Sequence, residues 1–190
     1  MEKTLVADEE FNGVDFNQKS AKGTDFENCQ FLNCSFASAD LTDTCFSECE
    51  FEACDLSSAK ITNTAFKDVS FCDCKLLGLK FESCNKFLLE FRFEGCQIDY
   101  ATFYQLKLPK TEFKNCSLKE VDFTETDFSG SSFANCDLSG AVFESANLDK
   151  TDFRTAENYD IDLEKNRVAK ARFSQDGLKG LLSKYDLIID

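Results

Sequence analysis

A large apolar side chain returns at every fifth residue of this chain. From Phe26 the series runs Phe31, Phe36, Leu41, Phe46, Phe51, Leu56, Ile61, Phe66, Phe71, Leu76 and Phe81. A second series starts at Phe93 and runs Ile98, Phe103, Leu108, Phe113, Leu118, Phe123, Phe128, Phe133, Leu138, Phe143, Leu148 and Phe153. A period of five fits neither the 3.6 of a helix nor the 2.0 of a flat strand. A short repeat held this long is the mark of a stacked solenoid, in which each unit buries its apolar side only against its neighbours.

The residue two before each large one is small or carries sulfur: Cys29, Cys34, Ala39, Thr44, Cys49 and Cys54 early, Cys96, Ala101, Thr111, Cys116, Thr126 and Cys136 later, with Leu79 a bulky exception. The residue immediately before is often Asp or Asn, as at Asp40, Asp55, Asp122, Asp127 and Asp152, which suits a turn. The reading is a short extended piece and a tight turn, repeated. Cys34, Cys54 and Cys74 are spaced by 20, as are Cys29 and Cys49, and Cys96, Cys116 and Cys136. Four five-residue units per square coil would stack each cysteine over the last at the ~4.8 Å between neighbouring strands. The alternative is coincidence in a cysteine-rich chain.

The units Ala39–Leu41, Ala146–Leu148, Cys54–Leu56 and Cys136–Leu138, read as Ala/Cys-Asp/Asn-Leu, resemble the pentapeptide repeat family. The resemblance covers residues from about Phe11 to Phe153. It implies an all-β solenoid, a right-handed quadrilateral β-helix with four repeats per coil, ending in a short C-terminal helical cap. The expected division is a β-helix over 1–155 and a cap and dimerisation segment over 156–190.

No stretch approaches the ~18 apolar residues of a membrane span, and Met1–Glu10 is acidic and polar rather than a signal segment. A soluble, cytoplasmic protein without a membrane partner is expected. Of the 11 cysteines, only Cys45 and Cys72 fall on outward positions. The rest, in small inward slots, read as reduced thiols acting as compact hydrophobes. Cys72 and Cys74, the one close pair, should face opposite ways, so no metal site and no cofactor is expected. The chain has 0 histidines and 8 glycines and no phosphate-binding Gly-rich loop, so an enzyme is not expected and no catalytic residue is named.

The formal net charge is −14. Such a chain lacks the basic stripe that direct nucleic-acid binding needs. It prefers basic partners; simple solubility is the other reading of the acid. The beat slips by two residues within Ser83–Phe91, predicting a bulge or loop whose Lys86, Phe87 and Leu88 could touch a partner. Ala21, between Lys19 and Lys22, lacks the large residue. After Phe153 the period fades, and 155–172 reads as an irregular link. Ser174 then suits a helix N-cap, and Leu178, Leu181, Leu182 and Tyr185 would share one helical face. With Phe173, Leu187, Ile188 and Ile189 they are the expected homodimer interface, since an open solenoid end needs cover.

The ending Ser174–Asp190, with Gly-Leu-x-x-Leu-Leu and a closing Leu-Ile-Ile, is similar to the tails of the Qnr quinolone-resistance proteins and the microcin B immunity protein. The chain departs from the Qnr pattern in lacking two long loops. The resemblance implies a C-terminal homodimer that mimics DNA, binds a type II topoisomerase (DNA gyrase or topoisomerase IV) and relieves poisoning by quinolones or a peptide toxin. About seven coils at ~4.8 Å give a rod of ~35 Å, or slightly more than ~70 Å for two joined end to end. Two chains would place roughly one negative charge per ~2.7 Å, against one per ~1.7 Å in duplex DNA. Assigning repeats to faces puts Asp122, Glu125 and Glu144 on one side and Asp99, Glu120 and Asp137 on the next, the expected acidic partner-binding surface. The competing reading is a structural or regulatory interaction module with an unrelated protein partner.

Overall fold

In the computed structural model, which describes residues 4–188, the chain winds into a four-sided tube of parallel coils. Phe26 pairs with Phe46 and Phe46 with Phe66; Phe31 pairs with Phe51 and Phe51 with Phe71, all in parallel register. One sheet stacks Thr4–Ala7, Thr24–Glu27, Cys45–Ser47 and Ala65–Lys67. A longer one runs from Glu10–Asn12 through Phe91–Glu94 to Ser132–Ala134. The other sides are held by single parallel bridges, such as Gln97 to Ser117 and on to Asp137. We name the sides by their inward residues. Side A carries Phe31 and Phe113, side B Phe36 and Leu118, side C Leu41 and Phe123, and side D Phe46 and Phe128. Sides B and D face each other across the tube.

The Asp before the large residue bonds the nearby backbone at the corner, as expected, but the residue that bends the chain lies further on. The turn residue is the second after the large one, and it holds a positive φ: Ser38 (60°), Asn63 (55°), Glu120 (56°). At Phe36 the turn closes by the Ala39 amide donating to the Phe36 carbonyl at 2.9 Å, as a type II turn requires. The Asp caps the same corner through its side chain. Asp55 accepts from the Ser57 amide at 2.9 Å, and Asp122 from the Thr124 amide at 2.8 Å.

The core is built in ladders. On side A the rings Phe11, Phe31, Phe51, Phe71, Phe93, Phe113, Phe133, Phe153 and Phe173 stack one on another, with centroids 4.6–5.5 Å apart. The small slot has its own rule. Its side chain donates to a carbonyl of the preceding coil: Thr64 to Leu41 at 2.7 Å, Thr126 to Phe103 at 2.9 Å, Cys54 to Phe31 at 3.2 Å. This satisfies a group that would otherwise be buried unpaired, which explains why Thr, Ser and Cys share the slot. Cys34, Cys54, Cys74, Cys96, Cys116 and Cys136 form one continuous column, because the two-residue slip moves Cys96 into register over Cys74. Cys45 and Cys72 are half-exposed and the other cysteines buried.

The slip is a loop of two extra residues: Ala65 pairs with Asn85, but Val69 pairs with Phe91. The coil lacks a ring at the usual place. Phe91, in a small slot, fills the gap and lies 5.4 Å from Phe66 and 5.3 Å from Phe81. Ala21 is buried in the large slot.

The segment 155–172, expected as an irregular link, closes a further coil. Asp137 bridges Glu157, Asn147 bridges Arg167 and Asp152 bridges Arg172. Its rhythm is hidden because Ile161 is buried in a small slot while Leu163 points outward. Asn166, also in a small slot, donates to the Phe143 carbonyl at 2.9 Å. The cap is not the single amphipathic helix the spacing predicts. It is two short 3-10 helices, Asp176–Leu181 and Ser183–Tyr185. Two glycines in six residues weaken an α-helix, and both are needed: a Cβ at Gly177 or Gly180 would overlap Tyr159. Ser174 does accept from an early amide, that of Gly177, at 3.0 Å.

Candidate functional site

The six acidic residues expected at the partner surface lie on sides B and C, within neighbouring coils of the C-terminal half. Side B carries Asp99, Glu120 and Asp137; side C carries Asp122, Glu125 and Glu144. The two sides share a corner, so the structure brings the six together. Glu120, Glu125 and Glu144 are exposed, and the three aspartates are half-buried.

Local geometry fixes each carboxylate. Asp99 accepts from the Ser117 hydroxyl at 2.6 Å and the Lys119 amide at 2.9 Å. Glu125 accepts from the Gln105 side-chain amide at 2.8 Å and the Tyr104 hydroxyl at 3.4 Å. That carboxylate pushes the Tyr104 hydroxyl pKa up. Glu120 packs over Gly140, where a Cβ would meet its carboxylate. Two of the six are partly neutralised: Asp137 by Lys119 at 3.2 Å and Glu144 by Lys165 at 3.4 Å. Burial pushes the Asp137 carboxyl up. Hydrogen bonds from Asn158, Ser139 and Lys119 outweigh it and hold the group at about 2. The remaining four have no cation within ion-pair distance among the described residues. The surface is convex, and it can attract and orient a cationic groove.

Sequence reasoning missed the apolar side chains set among these acids. Tyr100 is 69% exposed, Val142 46% and Tyr104 38%. Their signal was available: each places an aromatic or β-branched residue in an outward slot that is otherwise polar. Exposed Tyr beside charge is the composition of an interface anchor.

The loop residues Lys86, Phe87 and Leu88 are exposed, as a contact loop requires. They sit on side D, across the tube from side B, so loop and acidic corner do not form one site. At the tail Leu181 is buried, Leu182 and Phe173 are half-buried, and Leu178, Tyr185, Leu187 and Ile188 are exposed. Ile189 lies outside the described residues.

Among the described residues no cluster of side chains could hold a metal ion, and no helix is long and apolar enough to cross a membrane. The thiol column is a core feature. Burial pushes Cys49 up to about 12. In the column Cys54, Cys96 and Cys136 are raised by contacts with neighbouring thiols and then by burial.

Comparison with known proteins agrees with this geometry. The chain is similar to two trypsin-treated forms of QnrB1, described as a plasmid-mediated fluoroquinolone resistance protein. One has a TM-score of 0.66 at 19% identity, covering 100% of both chains. The other has a TM-score of 0.64 at 20% identity, covering 99% of this chain and 98% of that one. It is also similar to HetL, a pentapeptide repeat protein involved in heterocyst differentiation regulation, from the cyanobacterium Nostoc sp. strain PCC 7120. There the TM-score is 0.56 at 14% identity, covering 91% of this chain and 85% of that one. At such identities the likeness is one of fold. No curated protein sequence matches the chain. Family models for pentapeptide repeats match residues 10–52, and models for a pentapeptide repeat region match residues 44–123 and 107–181. The chain belongs to the pentapeptide repeat family.

Proposed function

We propose that this protein is a DNA mimic that binds a type II topoisomerase, gyrase or topoisomerase IV, and protects it from quinolones or a peptide toxin. The observation that carries the reading is the acidic corner: six carboxylates on two adjoining sides of a rigid tube, four of them without a cation partner. On side D parallel pairs run Leu5, Asp25, Cys45, Ala65, Asn85 and again Lys107, Asp127, Asn147, Arg167, and the two-residue slip carries one column into the other. The eight steps give a rod of about 40 Å at ~4.8 Å per step. Joined to a twin through the exposed Leu178, Tyr185, Leu187 and Ile188, the rod would match a two-fold enzyme's DNA-binding saddle in length. The cytoplasm, where such enzymes work, is the proposed location, and no cofactor takes part.

The test is a gyrase supercoiling assay with and without ciprofloxacin across protein concentration. Wild type should inhibit supercoiling at high concentration and restore it against the drug at lower concentration. The triple variant Glu120→Lys/Asp122→Lys/Glu125→Lys should lose both effects. Glu50→Lys/Glu52→Lys/Glu112→Lys, the same charge change on side A, should keep them. Absence of both effects in wild type, or equal loss in the two variants, would overturn the reading.

Tyr100, Tyr104 and Val142 favour a second reading. Exposed apolar anchors suit a specific protein partner rather than any cationic groove. In that case the chain is a regulatory interaction module, and capture experiments would return a dominant partner that is not a topoisomerase.

A further inference from the structure

At the corner where side D turns into side A, Lys110, Gly130, Lys150 and Lys170 form one column, each a coil above the last. All four hold a left-handed backbone: Lys110 at 62°, Gly130 at 72°, Lys150 at 62° and Lys170 at 61°. Elsewhere in the tube this corner position is held most often by Asn, Asp, Ser or Gly, as at Asn33, Asp43 and Ser58. Asn, Asp and Gly tolerate a positive φ, and Ser can bond the nearby backbone. Among the described residues no other lysine or arginine has a positive φ. The column also sets Lys150 against Lys170 at the ~4.8 Å between coils, like charge beside like. Both features cost stability, and a disfavoured backbone kept in register argues for a role in binding.

The column borders a recess of about 570 Å³. Its floor is Gly130, Ser131 and Ser132, and it exists because Gly130 has no side chain and Ser132 a short one. Lys150, Lys170 and Arg172 line it above, together with Asp152. That carboxylate is already engaged: it accepts from the Arg154 guanidinium at 2.7–3.1 Å and from the Arg154 amide at 3.1 Å. Arg172 lies 3.9 Å from it. The carboxylates on side D nearby are engaged too, Asp127 by the Ser129 amide and the Asn147 side chain, Asp149 by Arg167 and the Ala169 amide. No ion pair is found for Lys110, Lys150 or Lys170 among the described residues, in a chain with 35 acidic residues.

We infer that this recess binds a compact polyanion, the di- or triphosphate group of a nucleotide or of an inorganic polyphosphate. Ammonium and guanidinium groups donate charge-assisted hydrogen bonds to phosphate oxygens. A bound anion also relieves the repulsion within the column. The length of the patch selects a compact ligand. Lys110 to Lys170 is three steps, or ~14 Å. Toward the N-terminus the same corner carries Glu48 and Asp68, the second paired with Arg92. A nucleic-acid strand laid along the edge runs onto those acids, whereas a triphosphate ends before them. The corner of D and A lies away from the acidic corner of B and C, so the site stands apart from the topoisomerase reading.

Isothermal titration calorimetry on the full chain near physiological salt tests this with inorganic triphosphate, ATP, orthophosphate and a short DNA duplex. Inorganic triphosphate and ATP should each bind once per chain, and the tighter of the two tells a free polyphosphate from a nucleotide as the source. Orthophosphate, which reaches fewer cations, should bind at least ~10-fold more weakly. Lys150→Gln/Lys170→Gln should weaken triphosphate at least ~10-fold. Lys60→Gln/Lys75→Gln removes the same charge from sides B and C and should leave the affinity unchanged. Gly130→Asp puts a carboxylate into the recess at a φ that Asp accepts, and should abolish binding. Thermal melts of each variant check that the tube is intact. The proposal is overturned by the absence of saturable triphosphate binding, by equal weakening in the two lysine pairs, by a Gly130→Asp variant that binds as wild type does, or by a duplex that binds more tightly than triphosphate.

Discussion

Replacing Phe113 by alanine tests the idea that this tube is rigid because its rings are stacked on a fixed ladder. Phe113 is fully buried. Its ring lies 5.0 Å from Phe93 below and 4.9 Å from Phe133 above, with Phe103, Phe123 and Phe128 meeting it edge-on. Losing the ring forfeits ~2–3 kcal/mol of apolar burial. The hole it leaves is on the order of 80 Å³, at ~24 cal/mol per Å³, for another ~2 kcal/mol. A helical core would close part of that hole by sliding. Here the backbone bonds between coils fix the spacing, so collapse is blocked and the cost should sit near 4–5 kcal/mol. At ~2.1 cal/mol/K per residue the melting temperature should fall by about 10–12 °C. Phe11→Ala is the control. Phe11 stacks on one side only, 5.1 Å from Phe31, and is half-buried at the mouth of the tube, so its loss should cost ~1–2 kcal/mol. Urea unfolding followed by circular dichroism gives both numbers. A cost for Phe113→Ala below ~1.5 kcal/mol, or equal to that of Phe11→Ala, would refute the fixed-spacing argument.

Two further outcomes follow from the cap and the acidic corner. Gly180→Ala should lift the 3-10 cap off Tyr159, because its Cβ would overlap the Tyr159 carbonyl; limited trypsin digestion should then cut after Lys179 and Lys184 much faster while the tube stays folded, and unchanged digestion would contradict it. Asp137 is held at about 2 by Asn158, Ser139 and Lys119, so it stabilises the fold at pH above the ordinary carboxylate value near 3.8 and loses that contribution as pH falls toward 2; an acid titration of Asp137→Asn against wild type should show their stability difference shrinking over that window, and a constant difference would count against the pairing.

The architecture was legible because five-residue spacing states the coil directly, and the cysteines set its length. What the sequence hid has physical causes. Asp before the large residue does cap the corner, as Asp55 does for the Ser57 amide, but only the backbone shows that the left-handed position lies three residues later. The last full coil was invisible because Ile161, Asn166 and Tyr159 occupy slots that break the large-small alternation while the ladder of bonds runs on. The cap's form turned on Tyr159, a contact across the tube's end that no local propensity carries.

The candidate surface was harder to read, because polarity around a solenoid depends on the coil count at every step. One uncorrected slip of two residues between Asn85 and Phe91 would leave each later residue two places out of phase with its column. Once the register is fixed, the C-terminal half sorts by charge. Sides B and C gather Asp99, Glu120, Asp122, Glu125, Asp137 and Glu144, while side D gathers Lys107, Lys110, Lys150, Arg167 and Lys170. Net charge alone describes a uniformly acidic rod, which would attract a cationic partner from any direction. The sorted rod has a front and a back. A cationic groove that closes on it meets attraction at the corner of B and C and repulsion at D, so the slip that restores register also decides which way the rod faces.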